Sequence, residues 1–175
     1  FVLLVNLVAF FASISAGEFL KHDGQFGAYH QPDVFHGLFN LFHLTMLLVP
    51  MVDNLIVLWM AVELTTLAST LLVRYRRGRP ALEAAWKYII ITTAGIIFAL
   101  FGTIFLANAI SEPARAAIGP GQDVMRWSQL ARPEVASLLD GRLVLLSFLF
   151  ILVGYGTKAG FAPMAYMSER AFAAA

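Results

Sequence analysis

Glu63 is an ionisable residue inside a long apolar stretch, LWMAVELTTLAS, where a membrane would surround it. It follows Asn54 by nine residues, which is ~14 Å along a helix and close to the bilayer centre. A carboxylate at that depth costs at least ~2.5–3.5 kcal/mol, so we expect it to face protein or water. Thr66 and Thr70 extend a polar stripe on its side of the helix. The stripe indicates either a functional acid or a hydrogen-bonded glutamate that pins two helices together.

Lys158 is a base in a second such stretch, LVGYGTKAGFAPM. Counted from Arg142 it lies ~24 Å along a helix, still within the hydrocarbon thickness. Three glycines and a proline around it predict a broken helix, and irregular backbone at membrane depth survives only inside protein or beside water. They are Gly154, Gly156, Gly160 and Pro163. A lysine that snorkels to the headgroups from a helix end is the alternative.

Lys87, in LEAAWKYIII, lies about two turns after the arginine-rich segment RYRRGRP. Glu83 precedes it by four residues, which is the favourable order for an ion pair along a helix. The lysine therefore suits either proton transfer inside the membrane or a side chain that reaches the headgroups.

Three polar residues, His36, Asn40 and His43, share one face of the segment FHGLFNLFHLTM, at i, i+4 and i+7. A histidine passes a proton in either direction near neutral pH, so the face favours a proton relay or hydrogen bonds between helices. A metal site needs a further ligand, and the chain has no cysteine, so we expect no metal.

The composition predicts an all-α membrane protein, because 59% of the residues are hydrophobic and only 13% are charged. A soluble domain is nearer half apolar and a quarter charged. The pattern predicts one transmembrane domain with about five transmembrane helices, the last one broken. They span about residues 1–17, 34–49, 54–75, 81–110 and 142–163, with polar loops at 18–33 and 111–140. We expect Asp53 to cap the third helix and a short surface helix in the second loop.

The distribution of charge predicts orientation and excludes some functions. The dense arginines of RYRRGRP favour the cytoplasmic side. A net charge of +1 argues against nucleic-acid binding, and the sequence carries no haem or cluster ligation pattern. We therefore expect membrane lipids as partners and no cofactor in this chain.

Several motifs together resemble a known family. DN before a helix with VEL, AAWKY opening the next helix, and GTKAGFAP in a broken one resemble the antiporter-like subunits. These occur in respiratory complex I, in membrane-bound nickel–iron hydrogenases of the formate hydrogenlyase type, and in Mrp sodium/proton antiporters. FNLFHLTMLLVPMVDNLIVLWMAVELTTLAS and LEAAWKYIIITTAGIIFALFGT are most similar to the hydrogenase-type member. The resemblance covers about residues 35–163.

The resemblance implies a fold and a set of roles. It implies that the chain is part of a fourteen-helix fold of two inverted repeats, corresponding to helices three to seven. It implies that Glu63 and Lys158 form a pair central to proton translocation, and that Lys87 is the family's intervening lysine. Two features depart from the family: MAYMSERAFAAA replaces its continuation after Pro163, and the second repeat is missing.

We interpret the chain as a proton-translocating membrane subunit of a redox-driven pump, in a bacterial or archaeal plasma membrane. It would assemble with other membrane and peripheral subunits. One alternative is a structural anchor that conducts nothing. Another is a membrane subunit of an Mrp-type antiporter or of a proton-driven inorganic-carbon uptake system.

Overall fold

Helices make up nearly all of the structure. The computed structural model describes residues 1–23, 32–75 and 78–161, and no strand occurs among them. In chain order the helices are α1 (Val2–Asp23), α2 (Pro32–Leu48), α3 (Leu55–Val73), α4 (Arg79–Ala109), α5 (Glu112–Ile118), α6 (Trp127–Leu130), α7 (Pro133–Ala136) and α8 (Gly141–Lys158), with a 3-10 turn at Val49–Met51. The predicted all-α membrane fold is confirmed.

Among the described residues, four helices are long and apolar enough to cross a membrane. These spans are Asp33–Met51, Leu55–Val73, Ala81–Ala109 and Gly141–Lys158. The apolar part of α1, Val2–Gly17, is shorter than the other four. The fifth span therefore stays a prediction.

The ends of several elements differ from those predicted. Helix α1 continues to Asp23, so the beginning of the predicted loop at 18–33 is helical. The cap of α3 is Asn54, whose Oδ1 accepts hydrogen bonds from the amides of Ile56 and Val57 at 2.8 and 3.0 Å. The prediction that Asp53 caps α3 was wrong, because the Asp53 carboxylate accepts hydrogen bonds from Ser128 in α6 instead.

Helix α8 packs closely along α4 through small residues. A Cβ added at Gly154 would lie 2.3 Å from the Ala99 amide nitrogen, and one added at Gly95 would lie 2.4 Å from Thr157 Oγ1. The buried Ser147 hydroxyl donates to the Gly102 carbonyl at 2.7 Å. Gly154 therefore does not break α8 as expected; it lets the two backbones approach.

Helix α8 ends at Lys158, five residues before the predicted end at 163. Gly160 has φ +77°, and the amides of Gly160 and Phe161 donate to the carbonyls of Thr157 and Gly156 at 3.3 and 2.9 Å. These bonds form the two-bond Schellman cap that favours glycine in the left-handed position. Gly156 stays helical beneath the Phe161 ring, whose edge would lie 3.0 Å from an added Cβ. The second half of the predicted broken helix lies outside the described residues, as do Arg76 and Arg77.

Short helices α5 to α7 form a layer with its own small core, at the end of the bundle where α3 and α8 begin. Its buried members are Ile110, Ala114, Ile118, Met125, Leu130 and Val135. Three short helices thus occupy the loop where one was expected. The layer is joined to α3 by backbone hydrogen bonds, Leu55 to Met125 at 3.0 Å and Trp127 to Asp53 at 2.8 Å.

Candidate functional site

The side chains of Glu63 and Lys158 meet at one buried hydroxyl. Lys158 Nζ donates a hydrogen bond to Oγ1 of Thr66, and that oxygen lies 3.4 Å from Oε2 of Glu63. Thr66 is completely buried, while Glu63 and Lys158 are partly buried. The acid on α3 and the base on α8 are therefore linked through a hydroxyl.

A second hydroxyl fixes the other oxygen of the carboxylate. Thr93, on α4, donates to Oε1 of Glu63 at 2.9 Å. The site thus joins α3, α4 and α8. Thr93 was not among the predicted site residues, although a threonine within the apolar run KYIIITTAG was a usable signal. Thr70, from the predicted stripe, donates to the Thr66 carbonyl at 2.7 Å instead of to Glu63.

Lys87 lies away from this site. Two hydrogen bonds show which part of α4 faces α3. Thr93 bonds to Glu63, and one helical turn further along α4 the Ile96 carbonyl accepts a hydrogen bond from Trp59 Nε1 at 2.9 Å. Lys87 is six residues from Thr93, which is about 9 Å along α4 and about 120° around it. It forms an ion pair with Glu83 at 2.6 Å, and the two side chains are 49% and 66% exposed. The structure does not bring Lys87 to Glu63.

The histidines lie on α2, beside α3. The ring of Phe35, near the start of α2, packs against that of Tyr75, just beyond the end of α3, with centroids 5.3 Å apart. His43 follows Phe35 by eight residues along α2, and Leu67 precedes Tyr75 by eight residues along α3, about 12 Å in each case. His43 therefore lies roughly level with Leu67, and so close to the level of Thr66. Within the described part of the chain, the buried Nε2 of His43 has no hydrogen-bond partner. His36 lies about 10 Å further out along α2.

A cavity of about 420 Å³ reaches from the layer of short helices into the bundle. Asp53 and Trp127 line it at the layer, and Leu58, Thr103 and Tyr155 line it deeper. Tyr155 precedes Lys158 by three residues and so lies on the same side of α8, one turn away. Most of the lining is apolar, so the cavity offers space beside the site without supplying many polar partners.

Asp53 and Asp123 are two acids whose hydrogen bonds lie between the layer and the start of α3. The Ser128 hydroxyl and amide donate to Asp53 at 2.5 and 3.0 Å, and these bonds hold the pKa of its carboxyl below its usual range. The Met125 amide and then the Asn54 side chain do the same for the pKa of Asp123, at 3.0 and 2.6 Å. Both carboxylates therefore hold the layer against the start of α3.

No group of three metal-ligating side chains comes together in residues 1–23, 32–75 and 78–161. The expectation that this chain carries no metal or cofactor stays a prediction.

Comparison with known proteins identifies the family of this chain. Residues 52–166 match the family model described as "NADH:quinone oxidoreductase/Mrp antiporter, TM", a range that includes Glu63, Thr66, Thr93 and Lys158. The chain belongs to this NADH:quinone oxidoreductase/Mrp antiporter family. The resemblance noted from its motifs is confirmed, and the protein is an integral membrane protein.

Two relatives of this NADH:quinone oxidoreductase/Mrp antiporter family chain are named as parts of different complexes. The hydrogenase-4 component F homolog of Methylacidiphilum infernorum is 34% identical over 166 residues, which are 94% of this chain and 34% of the relative. The NADH-quinone oxidoreductase subunit N of Desulforudis audaxviator is 29% identical over 164 residues, which are 92% of this chain and 29% of the relative. The chain thus spans about a third of their length. No solved structure gives a significant match.

Proposed function

We propose that this chain belongs to a proton-translocating membrane subunit of a redox-driven complex, and that Glu63 and Lys158 carry the proton. The observation that supports this is the line from Lys158 Nζ through Thr66 Oγ1 to Glu63 Oε2. An acid and a base that share one hydrogen-bonded line can exchange a proton with little movement of their helices.

The energetics of the pair suit a movable proton. Burial favours the neutral form of each group, while the opposite charge nearby favours the ionised form. The proton affinities of Glu63 and Lys158 are therefore coupled, and a small change in hydration or nearby charge shifts the balance. A partner subunit that changed the field around Thr66 would drive such a shift.

His43, His36 and Lys87 are proposed to extend the pathway. Nε2 of His43, which has no hydrogen-bond partner among the described residues, lies roughly level with Thr66, and this supports a connection from the pair toward α2. Lys87 would act about two turns along α4 from Thr93. In this structure it forms an ion pair with Glu83 and does not contact the site. A histidine can both accept and return a proton at neutral pH.

The names of two relatives support a proposal about partners. One relative is named a component of hydrogenase-4 and another a subunit of an NADH-quinone oxidoreductase. We therefore propose assembly with other membrane and peripheral subunits in a bacterial or archaeal plasma membrane. Electron transfer would take place in those partners, and no redox cofactor would bind to this chain.

The test is to replace Glu63→Gln and Lys158→Met separately in the assembled complex and to measure proton uptake into vesicles during electron transfer. Each change removes one charge of the pair, so we expect at least a tenfold loss, about 1.4 kcal/mol. Glu112→Gln, an exposed acid in α5, is the matched control and should leave uptake unchanged.

Unchanged proton uptake in both variants, with the complex intact, would reject the proposal in favour of a structural anchor. Proton movement that follows an imposed sodium gradient and not electron transfer would instead indicate an Mrp-type antiporter.

A further inference from the structure

We infer that Thr66 is a positioning residue, a hydroxyl spacer that keeps the Lys158 ammonium and the Glu63 carboxylate coupled but out of direct contact. The inference rests on the proposed function and adds a residue to its site. Thr66 sets the distance between the two charged groups, which neither of those groups sets by itself.

The hydrogen bonds of Thr66 have a definite direction. A hydroxyl has one hydrogen to donate and two lone pairs to accept with. Lys158 uses an accepting position, so the hydroxyl hydrogen remains for Glu63 Oε2 or for the Val62 carbonyl, each 3.4 Å away. The order of donation is therefore from the ammonium to the hydroxyl and onward to one of two acceptors.

The Val62 carbonyl is already occupied. It accepts the amide of Thr66 within α3 and the hydroxyl of Thr65 at 2.7 Å, which uses both of its lone pairs. Glu63 is thus the free acceptor, and the hydroxyl of Thr66 points its hydrogen toward the carboxylate.

The surroundings hold the two charges at this separation. Thr93 fixes the far oxygen of Glu63 at 2.9 Å, and the Schellman cap at Gly160 fixes the end of α8 directly after Lys158. In the described part of the chain, no direct ion pair within 4.0 Å joins Glu63 and Lys158. Thr66 fills the space between them.

The separation has a consequence for transport. Two opposite charges in direct contact attract strongly at low dielectric, and such a contact would hold both groups in their ionised forms. A hydroxyl between them weakens the attraction and preserves a hydrogen-bonded connection. Without it, we expect the flexible lysine to close onto the carboxylate and the proton to move less readily.

The experiment compares Thr66→Val, which keeps the shape and removes the hydroxyl, with Thr66→Ser, which keeps the hydroxyl. Proton uptake coupled to electron transfer is measured in the assembled complex. We expect Thr66→Val to lower uptake about tenfold, as for the loss of a hydrogen bond to a charged group, and Thr66→Ser to stay within about twofold of the parent.

Thr70→Val is the matched control, because the Thr70 hydroxyl donates only to the backbone of its own helix. It should leave uptake within about twofold of the parent. The infrared carboxylate band of Glu63, identified by its loss in Glu63→Gln, supplies a second measurement. It should shift in Thr66→Val, and in Thr66→Ala should the valine variant fail to assemble, but not in Thr70→Val.

The outcomes separate the inference from the proposed function. Normal uptake and an unshifted band in Thr66→Val, while Glu63→Gln and Lys158→Met lose uptake, would overturn the spacer and leave the function standing. Equal losses in Thr66→Ser and Thr66→Val would also overturn it, because the hydroxyl would then be irrelevant. Normal uptake in Glu63→Gln and Lys158→Met would remove both.

Discussion

Thr93 donates a hydrogen bond to Glu63 at 2.9 Å between Oγ1 and Oε1, which ties the middle of α4 to the middle of α3. The bond satisfies one oxygen of an acid that would otherwise face an apolar interior. Since the other oxygen lies beside Thr66, two threonines from different helices hold the carboxylate. The contact is therefore both a structural link and a constraint on the site.

Thr93→Val should destabilise the protein. Double-mutant cycles in membranes give about 0.6–1.7 kcal/mol for a hydrogen bond between helices, and we expect a loss of that size in the free energy of unfolding. Reversible unfolding in detergent micelles, followed by circular dichroism, measures it. Thr92→Val is the control, because the Thr92 hydroxyl bonds only to carbonyls of its own helix. Equal losses in the two variants would show that the bond to Glu63 contributes nothing specific.

Gly154→Ala should push α8 away from α4. The added Cβ would lie 2.3 Å from the amide nitrogen of Ala99, and a backbone atom cannot rotate aside. Overpacking of this kind typically costs about 1–3 kcal/mol, so the unfolding temperature should fall. Gly37→Ala, on α2, meets nothing within 4 Å and should stabilise by up to about 1 kcal/mol through helix propensity. A Gly154→Ala variant as stable as Gly37→Ala would contradict the packing described for α8.

Asp53→Asn should loosen the layer of short helices at neutral pH. The hydrogen bonds from Ser128 lower the folded pKa of Asp53, and its ion pair with Arg126 at 3.4 Å acts in the same direction. The contribution of Asp53 to stability is complete above about pH 5. It is lost as the pH falls through the unfolded value near 3.9 toward the lower folded value.

Hydrogen exchange at the amides of Trp127 and Ser128 measures this loosening. Protection should drop in Asp53→Asn at pH 6, and the difference between variant and parent should shrink as the pH falls below the unfolded value near 3.9. Asp33→Asn, at the opposite end of α2, should behave like the parent across this pH range. A difference between parent and variant that grew on acidification would refute the assignment.

The sequence was sufficient for the class of fold and for two of the site's residues. Long apolar segments interrupted by polar loops define membrane helices by length and hydropathy, which are local properties. Glu63 and Lys158 were identifiable because a charged side chain inside such a segment is costly. The motifs around them indicated the family from the sequence alone. Helix ends were predicted less well: α8 stops at Lys158, where the cap at Gly160 ends it, and not where hydropathy changes.

Only the tertiary structure decided which polar residues meet. Thr66 and Thr70 share a predicted stripe, yet of these two only Thr66 bonds to Lys158, because α8 packs along α4 and its last residue meets α3 at Thr66. Lys87 was a further candidate for proton transfer in the sequence, but it lies about 9 Å along α4 and a third of a turn from Thr93. Gly154 was interpreted as a helix breaker and instead permits close approach to Ala99. A residue's type and depth are set by the chain alone, whereas its partner depends on the register and rotation of neighbouring helices, and these are fixed only when the helices pack.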